Sequence, residues 1–263
     1  MSTSSATPRS QEDAAPCAPK IPVRVFLSVV MPAYNEEAAI ESVILDHIEV
    51  LTALRELIVG WEIVCVDDGS SDHTPAMLQR LASTLSGVKV LRHTENKGIS
   101  ESFADGFAAA TGTHIYATGA DGQWPSRNLP AMLRSVLEGA ELVVGVRANR
   151  RQVYGLMRRL VSFAFNFSAR VLFGVKTMDA GGIKLGIREV FRLDLVSRSP
   201  FVEAERIVKA QRCGYRVHFT PVEFTVRQGG KETGVRWSNL FGSIRDCLRC
   251  AVVYGIGGGL AEG

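Results

Sequence analysis

Short apolar runs and longer stretches of helical periodicity alternate along the first half of the chain. Residues 25–31 form a β-rich run that Pro32 ends. Asn35 can then cap a helix, with Glu36 and Glu37 favourable near its amino end. Ile40, Val43, Ile44, His47, Ile48 and Leu51 follow at helical spacing. Residues 62–66 read as a second strand, and Asp67-Asp68-Gly69-Ser70-Ser71-Asp72 as a turn after it. Met77, Leu78, Leu81 and Leu85 mark the next helix, 88–91 a strand, and 100–110 a helix. Then come a strand at 114–118, a helix at 128–137 and a strand at 142–146.

Strand and helix in series predict an α/β fold with a mostly parallel central sheet flanked by helices. Ligands of such sheets bind beyond the carboxyl ends of the strands. The polar groups at those ends are Tyr34-Asn35-Glu36, Asp67-Asp68 and Asp121-Gly122-Gln123. None carries a G-x-G-x-x-G or Walker loop, which disfavours a dinucleotide oxidoreductase or a P-loop enzyme. The second half is less regular. Residues 155–173 predict a long helix, apolar on most of its circumference and interrupted by arginines. Residues 180–187, with three glycines, predict a bend or a short strand. A helix at 203–213, a strand at 215–222 and a polar, flexible stretch at 227–234 follow. Leu240, Ile244, Cys247, Leu248 and Val252 form a last apolar stripe. The expected division is a disordered tail at 1–22, one large domain at 23–235, and an amphipathic segment and tail at 236–263.

Composition narrows the classes. With 46% hydrophobic residues the chain can bury a sizeable core. A net charge of +3 is too small to argue for nucleic acid. Arg147, Arg150, Arg151, Arg158 and Arg159 cluster locally, which suits a phosphate ligand, an anionic membrane surface or an ordinary solvated face. Five scattered cysteines suggest no disulfide framework, and Cys247-x-x-Cys250 without a second ligand pair is one face of a helix. No apolar stretch reaches the ~18 residues of a spanning helix. The first twenty residues hold no continuous apolar run. The expectation is a cytoplasmic protein, with a membrane surface as a peripheral partner.

The order of these motifs resembles the family 2 glycosyltransferases of GT-A fold, and within them the dolichol-phosphate mannose and polyprenol-phosphate glucose synthases. The resemblance runs from about residue 27 to 231. It is carried by the segments 30–37 (VMPAYNEE), 63–72 (IVCVDDGSSD), Asn96-Lys97-Gly98, 120–125 (ADGQWP) and 144–147 (VGVR). Arg158-Arg159 with Ser162, Gly182-Ile183-Lys184, and Glu205 with Gly214-Tyr215 continue it. The resemblance implies an inverting transfer of a hexose from a GDP- or UDP-sugar to a polyprenyl- or dolichyl-phosphate-like acceptor. It assigns Pro32, Ala33, Tyr34 and Glu36 to the nucleotide-base pocket and Asp67, with Asp68 beside it, to base or ribose. Lys97, Lys184, Arg227 and Lys231 fall in its donor-binding set. Asp121 and Gln123 match its metal-binding loop. Their oxygen donors suit Mg²⁺ or Mn²⁺ bridging the donor's diphosphate. Arg147 and Arg159, with Arg158, match arginines that hold the acceptor phosphate, a role suited to a planar, bidentate guanidinium.

Two departures mark this chain. The family usually carries two acids in its metal motif, whereas this chain reads Gly119-Ala120-Asp121. The acceptor region normally has an aspartate where Met178 stands, and Asp179 is one position away. Two other functions fit the same residues. One is transfer to a hydroxyl of a soluble saccharide or natural product, with Glu203 as the base. The other is a non-catalytic module that only binds a sugar nucleotide.

Overall fold

In the computed structural model, which describes residues 24–148, 167, 170–175, 179–225 and 237–255, seven strands form one sheet in the order β3-β2-β1-β4-β6-β5-β7. The strands are β1 (Phe26–Ala33), β2 (Gly60–Asp67), β3 (Val88–Arg92), β4 (His114–Ala117), β5 (Leu142–Arg147), β6 (Lys184–Ile187) and β7 (Val217–Val222). The helices are α1 (Ile40–Ala53), α2 (Thr74–Thr84), α3 (Ile99–Ala109), α4 (Leu129–Leu137), α5 (Arg188–Phe191), α6 (Val202–Arg212) and α7 (Trp237–Tyr254). Most of the helix expected at 155–173 and all of the polar stretch at 227–234 lie outside the described residues, as do the amino-terminal tail, Arg158, Arg159, Met178, Arg227 and Lys231.

The central strands read as nearly unbroken apolar runs because both faces of the sheet are covered. Side chains alternate across a strand. Leu27, Val29 and Met31 of β1 pack into one core with Ile40 and Ile44 of α1, Leu78 of α2 and Met132 of α4. Val30 packs on the opposite face with Val64, Phe107 of α3, and Ile207 and Val208 of α6. Parallel pairing in register sets Ala33 beside Asp67 and Asp67 beside Arg92, so the loops after β1, β2 and β3 share one edge.

Within 180–187, residues 180–183 form a turn and Lys184–Ile187 a strand that runs the other way. β6 pairs antiparallel with both β4 and β5. Gly182 makes the approach possible: a Cβ there would lie 1.9 Å from the carbonyl oxygen of Gly145. A second expectation is corrected at Asn35. It does not cap α1, whose cap position is Ala39 with no side-chain bond. Asn35 sits at φ 55°, and its Oδ1 accepts from the Ser71 amide at 2.9 Å. Its side chain ties the first loop to the second.

Glu62 lies at the opposite end of β2 and is structural. Burial alone would raise its pKa, but bonds from Lys89 Nζ, Ser28 Oγ and the Thr111 amide and hydroxyl bring it down to about 2. The segment beyond 236 is fastened to the second core. Cys247 and Cys250 of α7 are buried in it, neither of them in a disulfide. Buried Asp246 accepts from the amides of Arg198 and Ser199, each at 2.9 Å. The Tyr254 hydroxyl donates to buried Glu205 at 2.6 Å, and the same carboxylate accepts the amides of Val196 and Ser197.

Candidate active site

The loops after β1 and β2 are knitted together by backbone donors and short side-chain acceptors. The amides of Asn35, Glu36 and Glu37 donate to Ser70 Oγ, Thr74 Oγ1 and Asp72 Oδ2. In return Glu37 Oε2 accepts the amide of His73. This reciprocal clasp fixes Pro32, Ala33, Tyr34 and Glu36 over the end of β1. Ala33 is buried and Tyr34 stays exposed, an available aromatic ring at the rim.

The two adjacent carboxylates have different environments. Asp67 is fully buried. Its Oδ1 accepts the Ser70 amide at 3.0 Å, while Oδ2 accepts no hydrogen bond and faces Arg92 Nε at 3.3 Å. Asp68 is committed inward: Oδ1 accepts the Lys97 amide and meets His93 Nδ1 at 2.8 Å, and Oδ2 accepts the Gly98 amide. Burial opposes its charge, but these bonds prevail and hold it below the ordinary carboxylate value. His93 Nε2 in turn meets Asp105 Oδ2 at 2.9 Å, and Lys97 Nζ stands 3.7 Å from the same carboxylate. Asp68, His93 and Asp105 thus hold the loop that presents Lys97, whose side chain is half exposed.

Asp121 follows β4 at the same edge. Its Oδ1 accepts the Gln123 amide at 3.0 Å, closing a tight turn across Gly122 at φ 70°. The turn is braced from β7. Thr225 donates from its amide to the Gln123 carbonyl at 2.9 Å and from its hydroxyl to the Gly122 carbonyl at 3.0 Å. Trp124 packs edge-on against Phe224 at 4.7 Å. Arg147 lies against both rings, 4.8 Å from Trp124 and 4.7 Å from Phe224. Its side chain is 10% exposed, its Nη2 donates to the Gly181 carbonyl, and its Nε faces Asp179 Oδ2 at 3.6 Å. Asp179 Oδ2 also accepts the Arg147 amide at 2.9 Å. The displaced aspartate therefore reaches the end of β5 despite its shift along the sequence.

Lys184 and Glu203 form an inward pair below this site. Lys184 is buried, and its Nζ donates to the carbonyls of Ala180 and Gly182 and to Glu203 Oε2 at 2.5 Å. Burial lowers the pKa of Lys184 and Glu203 partly restores it. Burial raises that of Glu203, but Lys184 and Arg206 outweigh it and hold the carboxylate ionised. Arg206 is buried too, donating to the carbonyls of Val190 and Phe191.

The structure thus brings Tyr34, Asp67, Lys97, Asp121, Gln123 and Arg147 to one edge of the sheet and turns Asp68 and Lys184 inward. Arg159, Arg227 and Lys231 lie outside the described residues. His93 and Asp105 were not singled out by sequence, although His93 directly follows β3 and so meets the strand-end criterion that found Asp67. Among the described residues no group of three His, Cys, Asp or Glu side chains could hold a metal. Asp121 and Gln123 offer oxygen donors, the kind that Mg²⁺ and Mn²⁺ prefer.

The family model described as Glycosyl transferase family 2 matches residues 28–193. Among curated relatives, the chain is 34% identical over 157 residues to an undecaprenyl-phosphate 4-deoxy-4-formamido-L-arabinose transferase of Pectobacterium carotovorum, covering 59% of this chain and 46% of the relative. The match thus spans about half of that relative's length. The chain is 25% identical over 249 residues to a dolichyl-phosphate beta-glucosyltransferase of Trichomonas vaginalis, covering 90% of this chain and 76% of that one. Among solved structures, glucosyl-3-phosphoglycerate synthase from Mycobacterium tuberculosis, captured with Mn²⁺, UDP and its product, has a TM-score of 0.61 at 22% identity, over 89% of this chain and 82% of that one. That likeness establishes the GT-A fold, and the family model takes in more than half of the residues: the chain belongs to glycosyl transferase family 2.

Proposed function

We propose that this protein transfers a hexose, with inversion, from a UDP- or GDP-sugar to the phosphate of a polyprenyl- or dolichyl-phosphate-like lipid. The observation that carries the reading is the gathering of two acids at one sheet edge, Asp67 beside Arg92 and the turn-locked Asp121, with Arg147 beside the second. In this reading Asp67 serves the nucleotide's base or ribose. Asp121 and Gln123 would hold Mg²⁺ or Mn²⁺ against the diphosphate, where the cation neutralises charge on the leaving nucleoside diphosphate. The acceptor phosphate oxygen displaces that diphosphate at the anomeric carbon, and the electron pair of the broken C–O bond leaves with it. A phosphate is already anionic at neutral pH, so the step needs no general base. The names of the relatives favour this class of acceptor. The ion-paired state of Glu203 tells against the hydroxyl reading, because a carboxylate held ionised by a buried lysine is a weak base.

The test is a matrix of UDP- and GDP-hexoses against a short-chain polyprenyl phosphate and its dephosphorylated alcohol, with and without Mn²⁺. Transfer to the phosphate alone, suppressed by chelation, is expected. Transfer to the alcohol or to a soluble saccharide would replace this reading with the hydroxyl one. Hydrolysis and transfer both absent across the matrix would point to a binding module. Within this reading Arg147 and Arg159 hold the acceptor phosphate. Arg147→Lys keeps a charge but loses the planar stack on Trp124 and Phe224. It is expected to raise the acceptor KM by about tenfold, the loss of one to two kcal/mol of a charged hydrogen bond, with the donor KM little changed. The reverse pattern would make Arg147 a brace for the Asp121 turn.

A further inference from the structure

α7 presents two opposite faces. At about 100° per residue, Ser243, Asp246, Cys247 and Cys250 point to one side, and all four are buried. Phe241, Ile244, Leu248 and Val252 lie opposite, with Val253 on the flank. They are 67%, 52%, 61%, 86% and 57% exposed. Five large apolar side chains along one helix are more than the scattered apolar residues of an ordinary surface. They line a shared apolar surface with Arg245 and Arg249 at its margin. Arg245 is 66% exposed and touches Asp246, the only acid of the helix, which is itself buried. The outer side of α7 thus combines an apolar stripe with cationic edges and no exposed carboxylate.

From this pattern we infer that α7 lies in the interface of an anionic bilayer, with the stripe entering the acyl boundary and Arg245 and Arg249 meeting lipid phosphates. A second copy of the chain fits the face poorly. Isologous pairing would bring the arginines of one copy towards those of the other with no acid to offset them. Anionic headgroups supply that missing charge. Asp246 of α7 holds the amides of Arg198 and Ser199, and this loop leads into the first turn of α6, where Glu203 meets Lys184. The buried side of α7 is thereby fastened, through this loop, to the turn that carries Glu203. The inference deepens the lipid-acceptor reading, but its test does not depend on that reading.

The experiment is flotation of the full chain with vesicles of phosphatidylcholine, with and without phosphatidylglycerol, together with light scattering of the protein alone. The wild type is expected to float with the anionic vesicles and to release with salt. Leu248→Asp with Val252→Asp should reduce the bound fraction by about tenfold, and Arg245→Gln with Arg249→Gln should remove the preference for anionic lipid. All four side chains face outward, so an unchanged melting temperature certifies the fold of each variant. Activity of the Asp variant towards a water-soluble short-chain acceptor should stay at the wild-type level, which separates loss of docking from failure of the functional reading. Wild-type protein that remains in solution, or binding that survives the paired Asp substitutions, would overturn the inference. A dimer that those substitutions dissociate would also overturn it, by assigning the face to a second copy.

Discussion

Asp121→Asn should lower sugar transfer by about 10²–10³-fold while leaving the melting temperature where it was. That is the order of loss seen when one electrostatic stabiliser of a transition state is removed. The substitution separates two roles that an alanine would confuse. Asp121 Oδ1 accepts the Gln123 amide at 3.0 Å, and an asparagine oxygen can accept the same bond, so the turn across Gly122 survives. What disappears is the negative charge and one of the few oxygens a cation could use. The family's first acid is absent at Gly119, so no nearby carboxylate of the motif takes over. Saturating Mn²⁺ should therefore recover only part of the activity. Calorimetric titration of Mn²⁺ with the nucleoside diphosphate gives an independent readout: the cation should tighten nucleotide binding in the wild type and lose most of that effect in the variant. Wild-type transfer by the variant would reduce Asp121 to a turn residue and leave the diphosphate to the basic groups.

The carboxyl edge of the sheet was legible in sequence for a definite reason. Parallel strands covered on both faces read as apolar runs, so the first polar residues after each run, Asp67 and Asp121, mark the carboxyl edge without further information. Contacts that depend on distant pairing were not legible. β6 is only four residues long, and lies between β4 and β5, which it meets antiparallel. No local period encodes that insertion. Asn35 has the composition of a helix cap, yet the acceptor it offers is taken by Ser71, 36 residues on. Asp179 looked misplaced by one position, but the close approach of Gly182 to Gly145 brings it against Arg147. Spacing along the chain is a poor guide where a bend sets the geometry. Lys184 has the opposite lesson. The resemblance put it in the donor-binding set, and only burial shows it serving carbonyls and Glu203 within the fold.

The pair of buried Lys184 and partly exposed Glu203 should be among the most sensitive points of the molecule. Glu203→Gln keeps a hydrogen-bond acceptor for Lys184 but removes the charge that offsets a fully buried ammonium. Breaking a buried pair from one side costs about 3–5 kcal/mol, or roughly 10 °C in melting temperature for a domain of this size. The loss should depend on pH in a predictable direction. Lys184 already has its pKa lowered by burial, and without Glu203 it falls further. In the window between that depressed value and the ordinary lysine value of 10.5, the unfolded chain binds more protons than the folded one, so stability rises with pH. The deficit of Glu203→Gln relative to wild type should accordingly shrink between neutral and alkaline pH. Lys184→Met in the same chain should recover part of the loss, because it removes the unpaired charge along with its partner. Function supplies the decisive comparison. Below its melting temperature, Glu203→Gln should retain transfer to a phosphate acceptor within about tenfold, since an anionic nucleophile needs no base. A fall of 10²–10⁴-fold in kcat with the fold intact is the signature of a lost general base. That result would move Glu203 from the frame of the site into its chemistry, and the acceptor from a phosphate to a hydroxyl.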